Sequence, residues 1–463
     1  MRGILTGFIL LLAATTFAQH IEGDVVVDLK TGIFQCRMTV SEAPPLSDYK
    51  ILLNHGMTIK YFKDGAKRMI PYEGYYDGQM MGEALTYSFV DEQQQPIVLP
   101  NTFEVTYTGA FPIYDSSYNL FDFKGFIAIN GQTIRATEQS KWYPVIYDQA
   151  NDQLMDQYTY RLNVRAAHCQ TIFVNGSAPV TGERAVLSSN KAVPLFLFAG
   201  NYDYLQVGDD YLINANIDSE TAETIFANVQ DIKRLYAEMM NEKFSDAIYV
   251  VNHQAINKRA GEWGFNIYPA FGFANTHFDS LLNEDGKFKE DYYALFGHEL
   301  AHNYFGSNVM SGELQWFWLE SGADYLSFFV LEHFVGSERT NGEWIQYVDR
   351  VRNAEEEFNR VPLSKISQPE EIDQVYRYQI GPLILKCFEL QFGKEKTLCT
   401  LQSLLKKADS QTLGIPTWKQ AAIECGVSPQ DFEQFSSLFL KSDAFIHNAL
   451  DRVEKAMDAE SAE

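Results

Sequence analysis

Alternating apolar and polar positions dominate the first part of the chain. Between residues 20 and 210, short runs such as FEVTYTGAF (103–111) and YRLNVRA (160–166) alternate with period two, and Gly, Pro, Asn and Asp interrupt them. Period two is typical of strands that bury one face. We therefore predict an N-terminal all-β, sandwich-like domain over residues 19–210.

After residue 210 the pattern changes to helices and buried strands. Residues 219–240 repeat apolar positions at helical spacing, with Ser219 as a suitable N-cap. The apolar run at 247–253 predicts a buried strand, and residues 266–274 predict another strand that Pro269 interrupts. These elements predict a domain of mixed α/β character.

The chain of 463 residues is longer than one hydrophobic core usually supports, which predicts a multidomain protein. From residue 291 the pattern is mainly helical to the end. We expect an α/β domain over residues 211–385 and a helical C-terminal segment over residues 386–463.

The first 18 residues have the layout of a secretory signal peptide. Arg2 precedes an apolar run at 4–12, and small residues lead to Ala18, after which we expect cleavage. An uncleaved membrane anchor is the alternative, although the apolar run is short for a span. The signal peptide predicts a secreted or periplasmic protein without a stable membrane span after cleavage.

The chain is acidic and poor in cysteine. Its formal net charge of −24 argues against nucleic acid as a partner. The five cysteines show no CxxC spacing, so neither a disulfide framework nor a cysteine zinc site is indicated. One disulfide, from either Cys387 or Cys399 to Cys425, is an alternative that the sequence leaves undecided.

The motif with the clearest chemistry is HExxH at residues 298–302. On a helix, His298 and His302 lie four residues apart on one face, so both imidazoles can bind one zinc ion. Glu299 can then act as the general base toward a water that the metal activates, and Gly306 is placed to end the helix. The alternative is a surface helix with two ordinary histidines.

A zinc site of this kind needs a third protein ligand, and a carboxylate on a following helix is the usual donor. The next predicted helix begins near Trp316 and carries Glu320, which we predict to be this ligand. Asp324 lies four residues later, where it can orient a ligating histidine. The alternative is an acidic pair that caps or solvates the helix.

These segments together resemble the M1 aminopeptidase family and, more distantly, thermolysin. HELAHNYFG (298–306) is similar to the family's zinc helix, and WLESGADY (318–325) to its third-ligand helix. Residues 378–381, Tyr-Gln-Ile-Gly, resemble the family's Tyr-x-Lys-Gly segment, which implies that Tyr378 stabilises the oxyanion. The resemblance implies a thermolysin-like catalytic domain, one zinc ion and a peptide substrate.

The spacing of the third ligand departs from the family pattern. Seventeen residues separate His302 from Glu320, one fewer than in the family, so an ungapped match places Ser321 at the ligand position. Serine is a poor zinc ligand. Because one residue on a helix is a rotation of about 100°, Glu320 can bind only if the preceding connector is one residue shorter.

Two further positions depart from the family. The family's GAMEN segment, which recognises the substrate's amino end, corresponds to residues 260–265, where Glu262 is the candidate substrate-binding residue and an exposed loop carboxylate is the alternative. Ile380 replaces the family's lysine, and Tyr376 competes with Tyr378 for the oxyanion role, with a core tyrosine as the alternative for either.

These observations predict a zinc-dependent peptidase, aminopeptidase-like in its action, in which Glu299 is the base that activates water. The other candidate is a catalytically impaired relative of the same fold that binds peptides or a protein partner. The displaced glutamate and the altered GAMEN segment motivate this second hypothesis.

Overall fold

A computed structural model describes residues 19–75, 83–114, 122–244, 246–256, 263–354, 360–408 and 410–460. The predicted signal peptide and Glu262 lie outside these ranges and stay predictions. In chain order the strands are β1 His20–Asp28, β2 Ile33–Ser41, β3 Tyr49–Asn54, β4 Met57–Asp64, β5 Met69–Ile70, β6 Tyr72–Tyr75, β7 Ala84–Phe89, β8 Phe103–Ala110, β9 Ala128–Ile129, β10 Thr133–Ala136, β11 Val145–Asp148, β12 Gln153–Met155, β13 Gln157–Ala167, β14 Thr171–Val174, β15 Val180–Thr181, β16 Arg184–Pro194, β17 Leu197–Gly200, β18 Tyr204–Val207, β19 Asp210–Ile213, β20 Tyr249–His253, β21 Trp263–Ile267 and β22 Ala270–Ala274.

The helices follow mostly after the strands. They are α1 Ser219–Met240, α2 Glu290–Ala301, α3 Gly322–Phe334, α4 Ser337–Ala354, α5 Gly381–Phe392, α6 Lys394–Ala408, α7 Ile415–Glu424, α8 Pro429–Phe439 and α9 Phe445–Glu460. Two π-helical segments precede α3 and α5, and we name them the first π-turn (Phe317–Ser321) and the second π-turn (Tyr376–Ile380). No helix in the described ranges is both long and apolar enough to cross a membrane.

The N-terminal region consists of three β-sheets. Their strand orders are β16-β13-β1-β2-β8-β4-β5, β15-β14-β17-β10-β9 and β12-β11-β3-β7-β6. Neighbouring strands run antiparallel except for the parallel pair β1 and β13. The predicted alternation holds, because successive residues of β8 are buried and half-buried in turn. Their buried faces form one hydrophobic core.

The second part combines a mixed sheet with the helices. Its strand order is β18-β19-β20-β22-β21, in which β21 is the edge strand and runs antiparallel to β22. The helices and the inner face of this sheet share a large core. A smaller, largely aromatic core with members such as Phe196 and Phe265 joins this sheet to the N-terminal region. The predicted multidomain class, with β-sheets first and helices last, is therefore confirmed.

A buried charge cluster also joins the two regions. Arg135 Nη2 donates to Asp122 Oδ1 at 2.7 Å, and His253 Nε2 lies 3.0 Å from Asp122 Oδ2. All three side chains are inaccessible to solvent. Burial, and then repulsion from Arg135, lower the pKa of His253 to about 4. The imidazole is therefore neutral at neutral pH.

Three local predictions were wrong. The N-cap of α1 is Asp218, whose carboxylate accepts from the backbone N–H of Thr221, because Ser219 is already inside the helix. The predicted interrupted strand is a hairpin of β21 and β22, with its turn at Tyr268 and Pro269. The helix that carries HExxH, α2, ends at Ala301 instead of reaching Gly306.

One disulfide lies in the helical part. Cys399 in α6 is bonded to Cys425, the residue that follows α7. Of the two pairings left open by the sequence, the structure has this one, and Cys387 is a free, buried thiol. The bond closes a loop between two neighbouring helices.

Candidate active site

The HExxH residues lie where α2 packs closely on α3. Gly297 permits this approach, since a Cβ there would stand 3.2 Å from the side chain of Val330. His298 is in the last turn of α2, and His302 caps its C-terminus. Their Nε2 atoms are 3.2 Å apart. Both imidazoles therefore point to one place in the cleft.

Glu320 completes a three-residue cluster with these histidines. Its Oε2 atom lies 3.5 Å from His298 Nε2 and 3.6 Å from His302 Nε2. Ligand atoms at about 2.05 Å from a tetrahedral zinc ion stand roughly 3.3 Å from one another. The three separations thus fit a His-His-Glu zinc site.

The first π-turn determines which residue faces the histidines. In this turn the N–H of Gly322 bonds to the carbonyl of Phe317, five residues back, so the phase differs from that of an α-helix. Glu320 consequently faces the histidines. Ser321 is fully buried on another side, where its hydroxyl donates to the carbonyl of Arg377 at 2.7 Å.

The other nitrogen of each histidine has an acceptor of its own. His298 Nδ1 lies 3.4 Å from Asp324 Oδ1, as the sequence predicts, and Asp324 Oδ2 accepts from the hydroxyl of Tyr347 at 2.8 Å. His302 Nδ1 is 2.9 Å from the carbonyl of Phe305. These contacts orient both rings with Nε2 free for a metal. The sequence contains no signal for Tyr347 or for the Phe305 carbonyl.

Two of the three residues hold metal-binding protonation states at neutral pH. Burial lowers the pKa of His302 to about 4, although Glu320 opposes the shift. Burial acts to raise the pKa of Glu320, but the hydrogen bond with His298 and the charge of His302 outweigh it and hold the pKa at about 2. A neutral imidazole and an ionised carboxylate are the forms that bind zinc.

Glu299 is buried beside the cluster with one oxygen unpaired. In the part of the chain that the structure describes, Oε2 has no hydrogen-bond partner. Burial raises the pKa of Glu299 to about 7; the charge of His298 opposes the shift and that of Glu320 adds to it. A carboxylate with a pKa near neutrality and a free oxygen is suited to accept and return a proton.

The edge strand β21 lies directly over Glu299. A Cβ at Gly264 would stand only 2.0 Å from Glu299 Oε1, so glycine leaves the space that this carboxylate fills. Asn266 Nδ2 donates to the backbone carbonyl of Glu299 at 2.9 Å and ties the strand to α2. An isolated glycine in a strand pattern is the sequence signal of such a close approach.

The second π-turn separates the two candidate tyrosines. Tyr378 lines the cleft, within hydrogen-bonding reach of Glu320, and its ring centroid is 5.9 Å from that of His298. Tyr376 is fully buried, stacks on Phe445 and donates to the carbonyl of Val361 at 3.3 Å. The geometry therefore favours Tyr378 for contact with a substrate, and Tyr376 is a core residue.

The cleft has a volume of about 1000 Å³. One wall is β21, another carries the histidines and Glu320, and a third comes from the N-terminal β region. From that third wall Lys124 reaches across, pairs with Glu138 at 2.6 Å and donates to the backbone carbonyl of Asn266. The sequence patterns give no reason to place Lys124 there, because its contacts are distant along the chain.

Comparison with known proteins shows the fold. No family model and no curated protein matches the chain. Among solved structures it is similar to native yeast LTA4 hydrolase, with a TM-score of 0.64 and 10% identity, over 91% of this chain and 66% of that chain. It is also similar to an M1 zinc metallopeptidase from Deinococcus radiodurans, with a TM-score of 0.62 and 13% identity, over 92% of this chain and 94% of that chain.

A mutant of the Deinococcus radiodurans enzyme bound to a Tyr-Ser-Ala substrate gives a TM-score of 0.60 at 13% identity, over 92% of this chain and 94% of that chain. The chain spans slightly less than two thirds of the yeast protein and nearly all of the bacterial one. At these identities the likeness shows that the chain has the fold of the M1 zinc metallopeptidases.

Proposed function

We propose that the protein is a zinc-dependent peptidase, aminopeptidase-like in its action, that binds one zinc ion through His298, His302 and Glu320. The observation that carries the proposal is the meeting of these three side chains at zinc-compatible distances, next to the unpaired carboxylate of Glu299. The fold of zinc metallopeptidases supports the same conclusion.

Each cleft residue has a role in peptide hydrolysis under this proposal. Zinc, when bound, polarises the scissile carbonyl and water. Glu299 accepts the proton of the attacking water and delivers it to the leaving nitrogen. Tyr378 donates a hydrogen bond to the oxygen on which negative charge develops, and Asp324 holds the ring of His298 in place.

Among the described strands only β22 pairs with β21, so the opposite edge of β21 is the proposed binding surface for the peptide backbone. An edge strand presents unpaired N–H and C=O groups with which an extended peptide can pair. Because β21 lies over Glu299, a peptide paired with this edge passes the proposed base. The arrangement therefore brings a scissile bond to the catalytic side chains.

The first test measures the zinc content per chain of the purified wild type and of two variants at adjacent positions, 320 and 321. Glu320→Gln removes the ligand charge and should lower zinc affinity at least 100-fold, whereas Ser321→Ala, which loses only the hydrogen bond to Arg377, should keep its zinc. Absence of zinc from the wild type, or equal zinc in all three proteins, would refute the site.

The second test measures turnover of peptides. Glu299→Gln should retain zinc and lose hydrolysis of tripeptides that the wild type cleaves. Zinc-loaded wild type that binds peptides without cleaving any would instead support the impaired, peptide-binding alternative. Cleavage of a free tripeptide but not of its N-acetylated form would show aminopeptidase action, and equal cleavage of both would refute it.

We also propose that the protein acts in an oxidising compartment, as a secreted or periplasmic protein. The Cys399–Cys425 disulfide supports this location, since such bonds persist mainly outside the cytosol. Detection of the processed chain in the periplasmic or culture fraction of its source cells tests the proposal, and recovery of only the full-length chain in the cytosol refutes it.

A further inference from the structure

Arg377 belongs to the second π-turn and lines the cleft where this turn meets the first π-turn. Its backbone carbonyl accepts from Ser321, and its side-chain Nε donates to the carbonyl of Ile372 at 2.8 Å. The guanidinium carbon is 3.9 Å from the ring centroid of Trp316, which also lines the cleft. The hydrogen bond and the indole contact thus hold the guanidinium over the Trp316 ring, next to Tyr378.

Arg377 differs from Lys124, another cation of the cleft, in its partners. Lys124 forms an ion pair with Glu138 at 2.6 Å. Within the described ranges, no carboxylate forms an ion pair with Arg377. Glu320, Asp373 and Glu370 attract it electrostatically without an ion pair, and the carboxylate of Glu320 faces the two histidines.

The free edge of the guanidinium determines what it can bind. Nε donates to Ile372 and the guanidinium lies over the indole, and among the described residues neither Nη1 nor Nη2 has a hydrogen-bond partner, so these two nitrogens form a planar pair of donors for a ligand. A carboxylate matches such a pair with two parallel hydrogen bonds. Because the ring and the Ile372 carbonyl already fix the side chain, little rotamer entropy is lost when a carboxylate binds.

We propose that Arg377 is a specificity-determining residue that binds a carboxylate of the substrate, either the C-terminal carboxylate of a short peptide or an acidic side chain. The inference rests on the proposed peptidase function and extends it to a substrate class. The cleft volume lies at the upper end of the ~300–1000 Å³ range of pockets that enclose a small ligand, so a short peptide fits with its terminus inside.

The test compares three tripeptides with the wild type, Arg377→Gln and Arg377→Lys. The probes are Tyr-Ser-Ala, its C-terminal amide, and Tyr-Glu-Ala-amide. Arg352→Gln, which changes an exposed arginine paired with Glu454, is the control. The wild type should cleave the free acid with about tenfold higher kcat/KM than the neutral amide, chiefly through KM.

In Arg377→Gln, kcat/KM for the acid should fall to the value that the same variant shows for the amide, so that the tenfold preference is lost. Arg377→Lys should keep only part of the preference for the acid, because lysine retains the positive charge but lacks the planar pair of N–H donors. A preference for Tyr-Glu-Ala-amide would identify a side-chain carboxylate as the ligand. Equal loss on all three peptides, or no preference in the wild type, would overturn the proposal.

A binding measurement separates this inference from the proposed function. Calorimetric titration of Glu299→Gln with Tyr-Ser-Ala and with its amide should show about tenfold tighter binding of the acid, lost when Arg377→Gln is added. If the wild type cleaves nothing and this difference is present, the peptidase proposal fails and the carboxylate site stands. If the wild type cleaves peptides but Glu299→Gln binds neither Tyr-Ser-Ala nor Tyr-Glu-Ala-amide more tightly than the neutral amide, the carboxylate site is wrong.

Discussion

Replacement of Gly264 by alanine should disable the proposed general base while leaving the metal ligands in place. The new Cβ would lie 2.0 Å from Glu299 Oε1, and ordinary contact begins at 3.4 Å. Strand and carboxylate must therefore move apart by about 1.4 Å in total. Because a displacement of ~1 Å at a reacting group lowers rates about 100-fold, we expect a loss of that size in kcat.

Steady-state kinetics on a tripeptide and zinc analysis on the same preparations measure the effect. Gly342→Ala is the matched control, since among the described residues nothing beyond the backbone of its own helix lies within 4 Å of its added methyl, and it should leave kcat unchanged. Glu299→Asp removes one methylene group from the side chain and so makes room for the added methyl. It should therefore lower kcat less in the Gly264→Ala protein than in the wild type. Wild-type kcat in Gly264→Ala, or loss of its zinc, would refute the reasoning.

Three further predictions concern the oxyanion, pH and the disulfide. Tyr378→Phe should keep zinc and lose about 100-fold in kcat, whereas Tyr376→Phe should keep kcat; equal losses would contradict the assignment. Because the pKa of His253 falls from about 6.5 in the unfolded chain to about 4 on folding, its stabilising contribution is present above pH 6.5 and is lost as pH falls toward 4. The His253 contribution that is lost between pH 7 and pH 5 is ~2 kcal/mol of unfolding free energy. His253→Asn should therefore show a smaller fall in unfolding temperature between these pH values than the wild type, and an equal fall would contradict the prediction. Reduction of the Cys399–Cys425 bond should lower stability by ~3 kcal/mol, seen as a lower unfolding temperature once thiol titration shows the bond open.

Local patterns in the sequence were sufficient for the fold class and for the histidine pair. Alternation in segments such as β8 predicts a half-buried strand because side chains point to opposite faces in turn. The HExxH spacing places His298 and His302 on one side of α2 because the helical period is 3.6 residues. Both rules depend only on residues that are near one another in the chain.

The third member of the cluster could not be decided by such rules. An ungapped match to the family pattern places Ser321 at the ligand position, and the prediction of Glu320 depended on a connector one residue shorter. The first π-turn changes the helical phase, and the packing of Ser321 against Gly381 and the Arg377 carbonyl leaves Glu320 to face the histidines. A π-turn is held by tertiary contacts and has no signature in the local pattern.

By itself, then, the sequence determined the β region followed by helices, and the candidate residues His298, Glu299 and His302. Only the tertiary structure decided that Tyr378, rather than Tyr376, lines the cleft, and that Gly264 and Lys124 border it. The physical reason is the separation along the chain of the residues that make contact. Periodicity reports which face of an element is buried, whereas a cleft forms from elements that meet across more than 100 residues of chain, as Lys124 and Asn266 do.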